Sequence, residues 1–342
     1  MSEMTKVLVT GGAGFIGSNF VRWAHNAHPD WQITTLDKLT YAGRLENLSS
    51  VMDSARHHFV QGDIADAAIA GPLVHDSDMV VHFAAETHVD RSIQSAAAFI
   101  TTDVIGTFVL LEAARQATHL KRFVQISTDE VYGSVPSGAS VETDELRPRN
   151  PYSASKAGAD RLAYSYWATY GIPVVITRAS NNYGPNQFPE KVIPLFITNA
   201  VDNIPVPLYG DGLNVRDWLH VDDHCRAIDV VMAQGTDGEV YNVGGGNEVT
   251  NVDLTHRILE LAGRSDALIT RVADRLGHDR RYALDTTKLR GLGWAPHVPF
   301  EEGLASTVDW YCQNESWWRP IKEQDQAYRA YYHTQYGSRA NV

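Results

Sequence analysis

The first half of the chain alternates short apolar runs with longer helical patterns. Lys6-Val7-Leu8-Val9-Thr10 reads as a strand, Gly11 to Gly17 as a turn, and the helix it opens reaches about His28. Gln32 to Asp37 and His58 to Gln61 give two more strands. Met79 to Phe83 and Arg122 to Ile126 are filled with β-branched and aromatic residues, as in strands buried on both faces. A long helical stretch from about Ser92 to Ala117 separates them. Ser134 to Pro151 reads as a surface loop, followed by a helix to about Tyr170 and a strand at Pro173 to Arg178. This alternation predicts an α/β fold with a doubly wound parallel sheet. Past Ala179, prolines at 185, 189, 194, 205 and 207 break the pattern into short pieces, predicting a smaller α/β lobe. The expected division is 1–178 for the sheet domain and 179–342 for a mainly substrate-binding lobe, with about 215–245 returning to the first.

Composition narrows the class. With 342 residues, 44% hydrophobic and 20% charged, the chain has ample material for a packed core. A formal net charge of −12 argues against nucleic acid or anionic membranes as partners, whereas a few arginines can still build a positive pocket. No run of about 18 apolar residues is present, so no membrane span is expected. Met1 to Lys6 lacks the basic and apolar regions of a signal peptide, which places the protein in the cytoplasm. The two cysteines, Cys225 and Cys312, have neither a disulfide framework nor metal-site spacing, and the 14 histidines are scattered, so no metal is expected.

Thr10-Gly11-Gly12-Ala13-Gly14-Phe15-Ile16-Gly17 follows a strand and opens a helix, and Asp37 stands about twenty positions beyond. Those are the marks of a Rossmann-type dinucleotide site. Gly11, Gly14 and Gly17 allow a tight turn and close backbone approach, so a pyrophosphate can rest on the helix N-terminus. Asp37 is placed to accept from ribose hydroxyls and repels a 2′-phosphate, favouring NAD over NADP; Lys38 pulls the other way. Asp63-Ile64 could contact adenine, with an N-cap role for Asp63 as the alternative. Ala84-Ala85 are small residues where a cofactor passes close to backbone.

Tyr152-Ser153-Ala154-Ser155-Lys156 puts a phenol and an ammonium four apart, on one face of a helix. The ammonium is expected to favour the phenolate and so to prepare a base. Together, Thr-Gly-Gly-Ala-Gly-Phe-Ile-Gly at 10–17 and this Tyr-x-x-x-Lys resemble the extended short-chain dehydrogenase/reductase family, which acts mainly on nucleotide sugars. Within it the hexose dehydratases are the most similar. Leu36 to Gly43, Ala84 to Ser92, Ser127 to Gly133, Ser180 to Pro185, Asn214 to Trp218 and Gly277 to Tyr282 carry the likeness in order along the chain.

The resemblance implies an NAD-dependent nucleotide-sugar dehydratase. Tyr152 would take the C4 hydroxyl proton, Lys156 would orient the nicotinamide ribose, and Thr128 would bond the C4 oxygen. Glu130 would take the C5 proton and Asp129 would protonate the departing C6 hydroxyl, two neighbouring carboxyl groups whose environments split their pKa values. Lys38, Leu39, Thr40, Thr102 and Asn182 would stand beside the cofactor, with Phe15 and Ile16. Thr87, Asn181, Lys191, Val192, Asn251 and His278 match positions around sugar, diphosphate or base; Pro207 and Tyr209 would lie by the base, or Tyr209 in the core. Arg216 and Arg275 are phosphate candidates, while Arg280 and Arg281 could equally pair with Asp279 or Asp285. Thymidine is the implied nucleotide, although these residues suit uridine as well.

Two departures stand out: Leu276 where the family has proline, and Asp103 where it has asparagine, which could alter a cofactor-side hydrogen bond. The aromatic segment Trp310 to Val342 is expected to serve packing or an interface. A homodimer is implied, through the helices near 92–117 and 151–170. The alternatives are a UDP-glucose 4,6-dehydratase, a UDP-sugar 4-epimerase, a UDP-glucuronate decarboxylase, or a non-catalytic NAD-binding sensor. Asp129-Glu130 is the discriminating pair, because epimerisation needs no acid for a C6 hydroxyl.

Overall fold

Strand β1 (Thr5–Thr10) opens the computed structural model, which describes residues 4–337. The others are β2 (Trp31–Asp37), β3 (His57–Gln61), β4 (Met79–His82), β5 (Arg122–Thr128), β6 (Val174–Ala179), β7 (Asn181–Tyr183), β8 (Val206–Tyr209), β9 (Val215–His220), β10 (Val240–Val243), β11 (Glu248–Thr250) and β12 (Ile269–Val272). Seven of them form one parallel sheet in the order β10-β6-β5-β4-β1-β2-β3. The chain builds outward from β1 to β3, then returns to the other side of β1 with β4. A crevice therefore opens at the carboxyl ends of β1 and β4, the place where doubly wound sheets bind ligands.

Alternation along the strands feeds two cores. Val7 and Val9 point to one face and pack with Phe20, Val21 and Ala24 of helix Phe15–Ala27 and with Ile228 and Val231 of helix Val221–Gln234. Leu8 points to the other, with Val80, Phe123, Leu110, Leu111 and Ala163. A third core, with Tyr183, Phe196, Trp218, Leu254, Tyr311 and Trp318, organises the smaller lobe. That lobe carries the sheets β11-β9-β7 and β12-β8. β10 follows β7, β8 and β9 in sequence but pairs with β6 in the main sheet.

Helix Pro151–Tyr170 is defined at both ends. Asn150 Oδ1 accepts from the Ser153 N–H at 2.9 Å while Ser153 Oγ accepts from the Asn150 N–H at 3.2 Å, and Pro151 occupies the first turn. Gly171 closes it in the left-handed region at φ 71°.

Two expectations need amendment. The stretch from Ser92 to Ala117 is two helices, Val89–Gln94 and Ala97–Gln116, because Ser95 is extended (φ −156°, ψ 107°). Helix Ala97–Gln116 is also long and apolar enough to cross a membrane, despite the absence of an unbroken apolar run. Here it packs on helices Ala67–His75 and Pro151–Tyr170 and gives Leu110, Leu111 and Ala114 to the core.

His82, at the end of β4, is fully enclosed. Thr107 Oγ1 donates to the Asp103 carbonyl at 2.5 Å and accepts from His82 Nε2 at 3.0 Å, leaving Nδ1 to accept from Thr10 Oγ1 at 2.7 Å. Burial, with Lys156 nearby, pushes the imidazole down to about 3. The unfolded chain thus binds a proton below about pH 6.5 that the folded chain refuses, so stability falls as pH drops through that window. We expect His82→Gln to flatten the fall by about 1.4 kcal/mol per pH unit between roughly pH 6.5 and 4, measured by denaturant unfolding of the two proteins at several pH values.

Candidate active site

The crevice is a cleft of about 1600 Å³ that runs from the glycine turn across the ends of β1, β4 and β5. Gly11 sits at φ 70°, and a Cβ there would meet the Ala84 backbone at 2.5 Å, so the turn between β1 and helix Phe15–Ala27 needs glycine. Gly14 caps that helix without a side chain, leaving first-turn N–H groups toward the cleft, where Phe15, Ile16 and Gly17 line it. Asp37 is buried; its Oδ2 accepts from the Ala13 N–H at 2.9 Å and its Oδ1 from the Leu39 N–H at 2.8 Å. Burial raises its pKa, and those backbone donors oppose the rise.

Lys38 Nζ donates to Asp63 Oδ2 at 2.6 Å, so the cation that argued against NAD is matched by a carboxylate. Asp63 is not the helix cap considered above: Asp66 holds that role for helix Ala67–His75. Thr40, Ile64, Ala84, Ala85, Thr102 and Asn182 also line the cleft. Leu39 does not line it; at φ 56° its N–H serves Asp37 instead. These residues fit a dinucleotide: a helix N-terminus for its phosphates, a buried carboxylate for a ribose, and small side chains between.

The catalytic candidates meet where β5 ends. The strand runs to Thr128, two residues beyond the expected end, and Thr128 caps the turn Asp129–Tyr132 by accepting from the Glu130 N–H at 3.2 Å. Its hydroxyl donates to Asp129 Oδ1 at 3.1 Å and also lies within hydrogen-bond reach of the Tyr152 phenol. Asp129 is only 3% exposed and its Oδ2 has no partner among the described residues. Burial first, then the Glu130 charge, raises its pKa well above the ordinary aspartate value, which favours the protonated carboxyl. Glu130 receives an N–H from Asn150 Nδ2 at 3.5 Å and faces the cleft.

The expected effect of Lys156 on Tyr152 is corrected by the structure. Burial, with Glu130 and Asp103 adding to it, raises the phenol well above its ordinary value, while a hydrogen bond from Thr128 opposes the rise. The Lys156 ammonium is itself buried, its pKa lowered by desolvation, and its Nζ donates to the Ile126 carbonyl at 2.7 Å. Asp103, the residue in place of asparagine, accepts from Ser155 Oγ at 2.6 Å and from the Glu86 N–H at 2.8 Å. Burial raises it to about 6, and the Lys156 charge opposes the rise. Its carboxylate thus acts on the ammonium beside the site rather than on the cleft.

A second pocket, of about 870 Å³, joins the first at Thr87, Glu130, Asn181, Glu190 and Lys191. Val192, Pro207, Tyr209, Arg216, Asn251, Arg275 and His278 line it. Lys191 Nζ donates to the Thr87 carbonyl at 2.6 Å. Arg216 stacks on Tyr282 at 4.4 Å and donates to the Asp279 carbonyl at 3.0 Å. His278 is held down to about 4, by burial first and then by Arg275 and Arg216. Arg280 and Arg281 stay outside, paired with Asp211 and Glu248 rather than with Asp279 or Asp285. Leu276 is 79% exposed and outside both pockets. Sequence reasoning missed Glu86, Glu190 and His224 in the cleft, and Asp90 and Tyr336 in the second pocket. Glu190 had a signal, a carboxylate beside Lys191; His224 had none.

A doubly wound sheet with this glycine turn, a buried Tyr-Lys helix and a basic side pocket defines a nucleotide-sugar enzyme of the extended short-chain dehydrogenase/reductase type. More narrowly, residues 8–307 match the GDP-mannose 4,6 dehydratase family, and the chain belongs to it. It is 55% identical to the dTDP-glucose 4,6-dehydratase of Streptomyces antibioticus over 323 residues, 93% of this chain and 95% of that protein. The crystal structure of DesIV, a dTDP-glucose 4,6-dehydratase from Streptomyces venezuelae with NAD and TYD bound, superposes with a TM-score of 0.91. That match has 52% identity and covers 93% of this chain and 100% of DesIV. The UDP-glucose 4-epimerase of Thermus thermophilus, solved with NAD, follows at TM-score 0.83 and 32% identity, covering 90% of this chain and 99% of the epimerase.

Adding a methyl group at Gly11 forces β1 and the Ala84 backbone apart. Gly11→Ala is expected to weaken NAD binding at least about tenfold, since close backbone approach is what the turn provides, as measured by calorimetric titration of the purified protein.

Proposed function

We propose that this protein converts dTDP-glucose to dTDP-4-keto-6-deoxyglucose and water, with NAD as a cofactor regenerated in each cycle. The observation that carries the reading is the pair Asp129 and Glu130 in the cleft, Asp129 buried with its pKa raised and Glu130 at the junction of the two pockets. Support comes from the dehydratase relatives, which are more than half identical over nearly the whole chain. An epimerase has no use for an acid at C6.

The glycine turn, Asp37, Asp63, Ala84, Thr102 and Lys156 would hold NAD, which supplies a hydride acceptor at C4 and a donor at C6. Tyr152 removes the C4 hydroxyl proton as the ketone forms, with Thr128 bonding the same oxygen. Burial raises the phenol pKa in the free protein, and the positive charge of a bound nicotinamide ring would oppose that rise. The C4 ketone acidifies C5, whose proton passes to Glu130. Asp129 gives its proton to the C6 hydroxyl, which leaves as water. Glu130 returns its proton to C5 when C6 is reduced. The proton gained by Tyr152 restores Asp129, and the Thr128 hydroxyl stands between the two.

Lys191, Arg216 and Arg275 would take the diphosphate, with Thr87 and Asn181 on the hexose and Asn251, Pro207, Tyr209 and His278 around the nucleoside. Helices Ala97–Gln116 and Pro151–Tyr170 pack together and leave Ile100, Ile105, Phe108 and Tyr164 exposed, a surface that a second copy would cover in a homodimer. We place the enzyme in the cytoplasm, with no nucleic-acid or membrane partner.

Steady-state turnover of dTDP-glucose and UDP-glucose, with the product identified, tests the reading. We expect the 4-keto-6-deoxy sugar, with dTDP-glucose preferred; an epimer formed without loss of water would overturn it. Asp129→Asn should leave C4 oxidation intact and slow elimination by about a hundredfold or more, the usual weight of general-acid catalysis, seen as NADH that accumulates in a single turnover. Tyr152→Phe should show no such NADH.

A further inference from the structure

The C-terminal segment, expected to serve packing or an interface, also lines the second pocket at Tyr336. We propose that Tyr336, on the turn His333–Gly337, is a specificity-determining wall at the nucleoside end of that pocket. This rests on the reading that the pocket takes a nucleotide hexose.

The layout of the pocket fixes what lies where. Its inner end is the junction at Thr87 and Glu130, where the hexose must be for the carboxyl groups to act. Lys191, Arg216 and Arg275 are the cations in its lining suited to a diphosphate. Pro207, Tyr209 and Tyr336 line the same pocket and are not among the residues it shares with the cleft, and Tyr209 is linked through Asp90 to Arg275. Sugar, diphosphate and base are linked in that order, so the base comes to the two tyrosines. A flat base gains most from aromatic faces, and a stacked ring contributes strongly to binding of any base.

Tyr336 is held in place. Its ring lies 6.2 Å from that of Tyr209 with an interplanar angle of 33°, and 5.1 Å from that of Tyr332. Its hydroxyl bonds the Tyr209 hydroxyl. The preceding residue, Gln335, is 2% exposed; its Nε2 donates to Tyr209 Oη at 2.6 Å and its Oε1 accepts from Gln94 Nε2 at 3.4 Å. The segment is therefore tied both to β8 and to helix Val89–Gln94, whose Val89 and Asp90 also line the pocket. The Tyr209 hydroxyl donates to Asp90 at 3.2 Å, and Asp90 faces Arg275 at 3.9 Å, so the aromatic wall and a phosphate cation share one carboxylate.

The test uses the full chain with Tyr336→Ala, Tyr336→Leu and Tyr336→Phe. For Tyr336→Ala we expect KM for dTDP-glucose to rise about tenfold, the scale of losing one base-stacking ring, with kcat within about twofold. Affinity for thymidine diphosphate should fall in parallel while affinity for inorganic pyrophosphate stays constant. Tyr336→Phe should restore most of the loss. Unchanged KM and thymidine diphosphate affinity would overturn the proposal, as would an equal fall for pyrophosphate, which would mark a general disturbance of the pocket. If Tyr336→Ala does not fold, Tyr336→Leu decides: wild-type KM overturns the proposal, and a raised KM with normal pyrophosphate binding supports it. A wild-type protein inactive on dTDP-glucose would sink the functional reading itself, whereas an active one with an indifferent Tyr336 sinks this assignment alone.

Discussion

One buried hydrogen bond aligns the chemistry. The Lys156 ammonium lies in the interior, where an unpartnered charge is prohibitively costly, and it meets the carbonyl of Ile126 at 2.7 Å. Ile126 is two residues before the end of β5, and Tyr152 is one helical turn before Lys156. Fixing that single contact therefore sets the phenol opposite Thr128 and the two carboxyl groups that follow. One turn further on, Asp160 accepts from Arg178 of β6 at 2.8 and 3.0 Å, so the same helix is tied to two neighbouring strands. The N-cap at Asn150 and Ser153 fixes its start.

The two neighbouring carboxyl groups differ in burial, Asp129 being enclosed and Glu130 only partly covered. Asp129 is enclosed against the end of the strand, with the charge of Glu130 beside it, and both effects favour a retained proton. The same logic governs the substrate side. The chain carries a net charge of −12, yet Lys191, Arg216 and Arg275 converge on one pocket. An anion is drawn to a local arrangement of buried cations, whatever the sum over the surface.

Much of this is visible in the residues themselves. The glycine turn, Asp37, and the Tyr152-Lys156 pair are local patterns whose spacing dictates geometry, and the helix from 151 to 170 announces both its ends. What the sequence hides is distance and burial. The spacing of Tyr152 and Lys156 suggests direct tuning of the phenol, but the fold gives the ammonium to Ile126 and surrounds the phenol with carboxylates. The support that the Leu39 N–H gives Asp37 is invisible in the spacing. Arg280 and Arg281 find partners in Asp211 and Glu248, remote in sequence. Tyr336 reads as one more aromatic residue in a tail until the fold brings it beside Tyr209.

The central claim is that Asp129 carries a proton when the substrate arrives. Infrared difference spectroscopy at neutral pH, comparing the wild type with Asp129→Asn, reads this directly. The account predicts a protonated-carboxyl carbonyl band that is present in the wild type and missing from the variant. A difference spectrum showing only the loss of ionised carboxylate bands would contradict it.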